Sequence, residues 1–310
     1  MNVSVIIPTY NRSNKVVRAV ESVINQSLQP AEIIVVDDGS TDDTSFRLSS
    51  YASKVKLIRK SNGGVSSARN VGVLASSCEL VAFLDSDDLW MEEKLARQLP
   101  LMDDPSVVLS FTGWRSSHGG GKNALGVDAG ESQLVNQPIG LMASPGAMPI
   151  LLQTCIVRRS AYLRVGGCDE RMRLAEDTRL LFRLAFEGKF AFHRSILLEQ
   201  YTGDSADRLT QLRSEAFRRM HHAMMLEVLM ESYARVGELT SVDASHLRRL
   251  LAHFLAAQGR DLARCGKYQY ARRRAWESIC LSLNSGLLDR AFVALVAPQA
   301  FQMFRGRSAN

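Results

Sequence analysis

A chain of 310 residues has room for one large domain or a domain with an appendage, and its 46% hydrophobic and 23% charged residues are ordinary for a globular protein. Five widely spaced cysteines without a Cys-x-x-Cys pair argue against a disulfide framework or a zinc ribbon and fit a reducing compartment. The net charge of +6 is uneven, since residues 1–207 are slightly acidic and residues 208–310 carry all of the positive excess.

Residues 3–7 form a mostly apolar, strand-like run that Pro8 ends, too short for the core of a signal peptide, so a cytoplasmic protein is expected. Residues 15–26 repeat valine and isoleucine at helical spacing behind Ser13 or Asn14 as cap. Strands are expected at 33–36, 55–58 and 80–84, with helices at 42–53 and 65–75 between them. Strands that are apolar throughout and alternate with helices indicate an α/β layer with both sheet faces covered. A helix at 92–102 and a strand at 107–112 follow, and the Gly-, Ser- and Pro-rich stretches 116–121 and 126–149 read as loops. Next come a strand at 155–157, a short helix at 160–165 stopped by Gly166 and Gly167, a helix at 178–186 and a strand at 190–198. Beyond residue 207 only long helices are expected, at 211–236, 245–265 and 268–283, the last two forming a hairpin around Gly266.

Each early strand ends in a polar cluster, and parallel strands carry ligands beyond their carboxyl ends, so the clusters should converge on one edge. Asp85 and Asp87 lie two apart after a strand and can share a hydrated divalent ion with phosphate oxygens, Mg and Mn being suited to hard carboxylates. An isolated Asp-x-Asp is more often a solvated turn, and only the neighbouring clusters reverse that preference. Asp37 to Asp42 reads equally as a base- or ribose-binding cluster and as a helix-capping turn. Asn62, Gly63 and Gly64 before Arg69 offer backbone donors and a guanidinium to a diphosphate.

The runs Val5-Ile6-Ile7-Pro8-Thr9-Tyr10-Asn11, Val35-Val36-Asp37-Asp38-Gly39-Ser40-Thr41-Asp42, Gly64-Val65-Ser66-Ser67-Ala68-Arg69-Asn70 and Phe83-Leu84-Asp85-Ser86-Asp87-Asp88 together resemble the family 2 glycosyltransferases. Val165 to Glu170 followed by Glu176-Asp177 resembles that family's acceptor half, so the likeness covers roughly the first 200 residues. It implies a GT-A-type, Rossmann-like, mostly parallel sheet flanked by helices in residues 1–207, with 1–88 as nucleotide-binding half and 89–207 as acceptor half. A basic helical region, 208–310, follows.

The resemblance further implies an inverting, nonprocessive, metal-dependent transfer of a sugar from a nucleoside-diphosphate sugar, in the first place a UDP-sugar, to a hydroxyl of a glycan or lipid-linked acceptor in bacterial surface polysaccharide biosynthesis. Pro8, Tyr10 and Asn11 are assigned to the nucleotide pocket, Asp38 to the edge of the base, Arg69 to the nucleotide and Asp85 to ribose or the metal's surroundings. Asp87 is the metal ligand for Mn or Mg, Asp177 the catalytic base and Glu176 its support. Cys168 stands where the family often has an aromatic residue, which reads as a change of packing.

Other features carry less. His193 is expected to be structural or exposed, the adjacent His221 and His222 to be surface residues, and Met220, Met224, Met225 and Met230 to be core or helix contacts. Arg248-Arg249, Lys267 and Arg272 to Arg274 suit either a solvated face or peripheral contact with an anionic membrane at the inner face of the cytoplasmic membrane, with residues 291–304 as core or an interfacial helix. The basic region lacks the aromatic interleaving of a nucleic-acid binder. A sugar nucleotidyltransferase and a catalytically silent nucleotide-sugar-binding scaffold are the competing functions. The first needs a glycine-rich loop where Pro8-Thr9-Tyr10-Asn11 stands, and the second leaves Asp87 and Asp177 without a purpose.

Overall fold

In the computed structural model, β1 (Val3–Thr9) is buried along its whole length and is followed by α1 (Ser13–Ile24), β2 (Glu32–Asp37), α2 (Thr44–Ser49), β3 (Lys56–Arg59), α3 (Val65–Ala75) and β4 (Leu80–Phe83). The structure describes residues 2–117, 121–122, 132–143, 150–201 and 215–282. β1 pairs in parallel with β2 on one side and β4 on the other, and β2 pairs in parallel with β3. The β4 ladder stops at Ile6 opposite Phe83, so the N–H that Pro8 lacks falls where no strand requires it. Apolar side chains on both faces explain the unbroken hydrophobic runs. Val5, Ile7, Val16, Val20, Leu80 and Ala82 share one core, while Ile34, Val36 and Ala68 pack on the opposite face.

The second half adds β5 (Leu89–Trp90), α4 (Lys94–Gln98), a 3-10 turn at Leu99–Met102, β6 (Val107–Ser116), β7 (Gly121–Lys122), β8 (Ser132–Val135), α5 (Pro138–Ala143), a second 3-10 turn at Leu152–Thr154, β9 (Ile156–Arg158), α6 (Arg159–Arg164), α7 (Glu176–Leu184) and β10 (Lys189–Gln200). The sheet runs β3-β2-β1-β4-β9-β6-β10-β5, with β7 on β6 and β8 on β10. It is mixed: β6 and β10 are parallel, but β9 runs antiparallel to both β4 and β6 and joins the two parallel groups.

Several local expectations change. Arg12, not Ser13 or Asn14, occupies the cap position of α1 without a capping side chain, and Asp42 accepts from the Ser13 amide at 3.1 Å instead. The helix expected over 42–53 closes after Ser49, where the Ser49 and Ser50 hydroxyls turn back on the Phe46 and Arg47 carbonyls. The helix expected over 92–102 changes to 3-10 geometry at Pro100, which has no N–H to give. The stretch 126–149, read as loops, contains β8 and α5; β8 is an edge strand exposed at most positions, which erased the alternation that would have revealed it. Part of that stretch, and residues 291–304, lie outside the described residues. Gly166 and Gly167 do stop α6, both with positive φ (+83° and +68°) that other residues resist.

The described residues up to Pro138 and those from 150 to 201 form one compact unit; residues 139–143 and 215–282 belong to a second. The second unit contains α8 (Glu215–Ala234), α9 (Ser241–Arg264) and α10 (Tyr268–Ser282). Thr240 caps α9 by accepting from the Asp243 amide, and Gly266, with φ +73°, turns the chain from α9 into α10. Two readings are corrected here. His222 is no bare surface residue, since its Nδ1 lies 2.7 Å from the buried Asp261 carboxylate, and of the four methionines only Met225 is buried while Met220 and Met230 are exposed. No helix among the described residues is long and apolar enough to cross a membrane.

Candidate active site

The ends of β1, β2, β3 and β4 lie side by side, and side chains just past them lock the loops together. Asn11, in the left-handed region at φ +48°, takes the Thr41 amide on its Oδ1 at 2.7 Å and gives its own amide to Ser40 Oγ at 2.9 Å. Asp37 is fully buried and accepts from the Ser40 amide and the Ser45 hydroxyl. Asp38 accepts from Lys60 Nζ at 2.6 Å and from the Gly63 and Gly64 amides at 3.0 and 2.7 Å, so its carboxylate shapes the loop before α3. Gly39 permits a close approach, but to protein: at φ +85° an added Cβ would stand 3.0 Å from the Asn62 amide nitrogen. Pro8 is buried within β1, and Tyr10 is exposed just beyond its end.

Arg69, one turn into α3 and only 3% exposed, is the link between the halves. Its Nη2 donates to Asp85 Oδ1 at 2.8 Å and its Nη1 to Glu176 Oε1 at 3.1 Å. Asp85 also accepts from Gln153 Nε2 through its other oxygen. The Asp-x-Asp cluster after β4 and the start of α7, 91 positions apart in sequence between Asp85 and Glu176, thus meet on one guanidinium. The two carboxylates hold the Arg69 pKa well above its ordinary value against the cost of burial.

Glu176 and Asp177 open α7, where the helix dipole favours negative charge. Ala175 before them adopts a left-handed conformation, φ +59°, unusual for a residue with a side chain and set directly beside the acidic pair. Asp177 Oδ1 accepts from the Thr178 amide at 2.7 Å. Burial first, and then the adjacent Asp177 charge, push the Glu176 carboxyl above the usual carboxylate range, with Arg69 opposing both. The approach to α7 is held by Asp169, which accepts from Arg179 Nη1 at 2.7 Å and is lowered by its arginine partners, and by Asn70, whose side chain bonds both the amide and the carbonyl of Cys168. Cys168 is buried in that contact, in keeping with a packing role.

Asp87 pairs with Arg12 through Oδ2. Its other oxygen accepts no hydrogen bond among the described residues, whereas both oxygens of Asp85 are engaged. No group of three or more His, Cys, Asp or Glu side chains among the described residues is arranged to enclose a metal. An acceptor-only carboxylate with one uncommitted oxygen fits a hard divalent ion that keeps waters and brings phosphate oxygens of its own, the usual habit of Mg. Asp88, next in line, is buried and accepts the Tyr201 amide at 2.9 Å, fastening this loop to the end of β10.

Arg12, Lys60, Gln153 and Lys94 carry much of this geometry and escaped the sequence reading. Arg12 was the most accessible of them, as the basic residue that follows Tyr10-Asn11. Gln153 and Lys94 sit in apolar surroundings without any pattern. Lys94 is fully buried, donates to Gln98 Oε1 and to the Thr154 carbonyl, and lies over the Trp90 ring at 4.8 Å; burial pulls its pKa down to about 7. His193, read as structural or exposed, is half-buried and its Nδ1 accepts from the Ser195 amide.

Residues 4–166, more than half of the chain, match glycosyl transferase family 2, and the chain belongs to that family. An uncharacterised glycosyltransferase of Rickettsia bellii is 40% identical over 177 residues, which is 56% of this chain but 25% of that protein. A putative teichuronic acid biosynthesis glycosyltransferase, TuaG of Bacillus subtilis, is 41% identical over 116 residues, 36% of this chain and 46% of its own. The chain spans 25–30% of the length of the three rickettsial relatives to which it is 37–40% identical. Among solved structures, Staphylococcus aureus TarS 1–349 in complex with UDP-GlcNAc superposes with a TM-score of 0.69 at 19% identity, covering 99% of this chain and 92% of that one. The mannosyltransferase PcManGT from Pyrobaculum calidifontis in complex with GDP-Man and Mn2+ gives 0.59 at 19% identity, covering 98% and 80%. The fold is GT-A, with a helical region after it.

Proposed function

We propose that the chain is an inverting, nonprocessive glycosyltransferase that moves one sugar from a nucleoside-diphosphate sugar, preferably a UDP-sugar, to a hydroxyl of a glycan or lipid-linked acceptor in surface polysaccharide biosynthesis. The observation that carries this is the Arg69 bridge, which joins Asp85 of the donor-side acidic cluster to Glu176 beside Asp177. Donor and acceptor chemistry then share one site. UDP and UDP-GlcNAc in the TarS complexes, and the teichuronic acid assignment of TuaG, support the donor class and the pathway.

The acceptor hydroxyl oxygen attacks the anomeric carbon as the bond from that carbon to the diphosphate oxygen breaks, and the diphosphate leaves with the electron pair. Asp177 takes the hydroxyl proton as general base, and a single displacement inverts the configuration. Glu176, held by Arg69, supports its neighbour Asp177 at the start of α7. Tyr10, Asn11 and the loop organised by Asp38 form the base pocket beside Pro8, and Asp85 holds Arg69 and Gln153 in place. Asp87 would hold a Mn or Mg ion, which when bound offsets charge on the departing diphosphate as a Lewis acid. In the helical unit, exposed Arg272, Arg273 and Trp276 on α10 support peripheral contact with an anionic membrane, and five free cysteines support a cytoplasmic location.

The test is a screen of nucleotide sugars by thermal shift with Mn or Mg, followed by assay of nucleoside diphosphate release with glycan acceptors. Selective stabilisation by one nucleotide sugar with metal-dependent release is the expected result. Binding without any turnover would point to a silent scaffold instead.

A further inference from the structure

Gln153 lies in the 3-10 turn Leu152–Thr154 and is 9% exposed. Its backbone is fixed from two directions. The Gln153 carbonyl accepts from Trp90 Nε1 at 3.1 Å, and the next carbonyl, that of Thr154, accepts from Lys94 Nζ and Gln98 Nε2, each at 3.0 Å. All three donors are buried. Irregular backbone held by three buried side-chain donors is a rigid support for whatever its side chain reaches.

That side chain reaches Asp85. An ionised carboxylate only accepts, so the amide nitrogen must face it, and chemistry alone sets the orientation of the carboxamide with Nε2 toward Asp85 Oδ2. Oε1 is thereby turned off the acid, and it is buried without a hydrogen-bond partner. Arg69 repeats the pattern on the other carboxylate oxygen: Nη2 is bonded to Asp85, and Nε is buried without a partner. One carboxylate thus holds two side chains, one with an unused acceptor and one with an unused donor. Buried polar atoms are nearly always paired, and two orphans around a single acid at the end of β4 call for a ligand that both donates and accepts. A hydroxyl-bearing ring does both.

We propose that Gln153 reads a ring hydroxyl of the bound nucleotide sugar, its Oε1 accepting the hydroxyl hydrogen while Asp85 fixes the amide. This rests on the nucleotide-sugar reading above. The ribose and the transferred sugar share the required chemistry, and the experiment separates them.

Gln153→Met keeps the length of the side chain and removes both polar atoms. Calorimetry compares wild type and variant, with Mn present, against UDP, UDP-GlcNAc and analogues of each lacking one hydroxyl. For wild type, the analogue without the hydroxyl in question binds about three- to tenfold more weakly than its parent. The variant binds the parent more weakly by the same factor and no longer distinguishes it from that analogue. If the hydroxyl is on ribose, UDP and UDP-GlcNAc both show the effect; if it is on the transferred sugar, only UDP-GlcNAc does. Should Gln153→Met fail to fold, Gln153→Asn, which withdraws the amide by one methylene, must lose the same discrimination. Equal weakening of every ligand, analogues included, would make Gln153 a mere prop for Asp85 and overturn the proposal, as would unchanged affinities. If wild type binds neither UDP nor any nucleotide sugar, the parent reading falls and takes this one with it.

Discussion

Replacing Arg69 by methionine removes the cation that bridges Asp85 and Glu176. The guanidinium is almost fully buried, while the Asp85 and Glu176 side chains keep 25% and 14% of their surface. Breaking a buried ion pair by deleting one partner costs about 3–5 kcal/mol, because the remaining charge stays desolvated. The residual exposure of Asp85 places the expectation at the lower end, about 3 kcal/mol near neutral pH. The loss should depend on pH with a definite sign. Glu176 already titrates above the usual range, and without Arg69 it rises further, so the folded variant binds a proton that the unfolded chain releases. Stability then increases as pH falls, and the deficit of Arg69→Met shrinks from about pH 8 to about pH 5. Urea denaturation at both pH values measures this, and Glu176→Gln in the Arg69→Met background should recover part of the deficit. A loss below about 1 kcal/mol at the higher pH, or one independent of pH, would refute the bridge.

Asp87→Ala should abolish metal-dependent stabilisation by the nucleotide, because water cannot replace an anchored anionic ligand; titration with Mn in the presence of UDP checks it, and an unchanged titration removes Asp87 from the metal site. Lys94 tests the buried polar support. Its pKa is about 7 in the folded protein against an ordinary 10.5, so the unfolded chain binds the extra proton between these values and stability rises with pH across that window. Lys94→Met should remove a slope of about 1.4 kcal/mol per pH unit from the denaturation curves between them. Equal slopes for wild type and variant would mean that Lys94 titrates normally.

β1, β2 and β4 were legible because each is buried almost throughout and bounded by polar clusters, whereas β3 is a mostly exposed edge strand found only from its short apolar run. The middle was not. β5 and β8 are short edge pieces whose partners come from β10, far along the chain, and no local pattern announces them. At the site, residue types that must ionise or turn were visible as motifs, but their partners were not. Arg12 on Asp87, Lys60 on Asp38 and Gln153 on Asp85 are contacts across the sheet edge, fixed by strand order. The family resemblance assigned Asp38 to the edge of the base, whereas its observed hydrogen bonds and the close approach at Gly39 are to the chain's own loop before α3. A loop that must hold a fixed shape uses the same residue types as a loop that binds, and only coordinates tell them apart.

The most direct test of the account is Asp177→Asn, with donor binding and turnover measured on the same preparation. The substitution keeps the shape and the hydrogen bond from Thr178 while removing the capacity to take a proton. Donor affinity should stay near that of wild type while turnover drops by about 10²- to 10⁴-fold, the span for loss of a general base. Turnover close to wild type would contradict the account, because the acid beside the Arg69 bridge would then have no part in the chemistry.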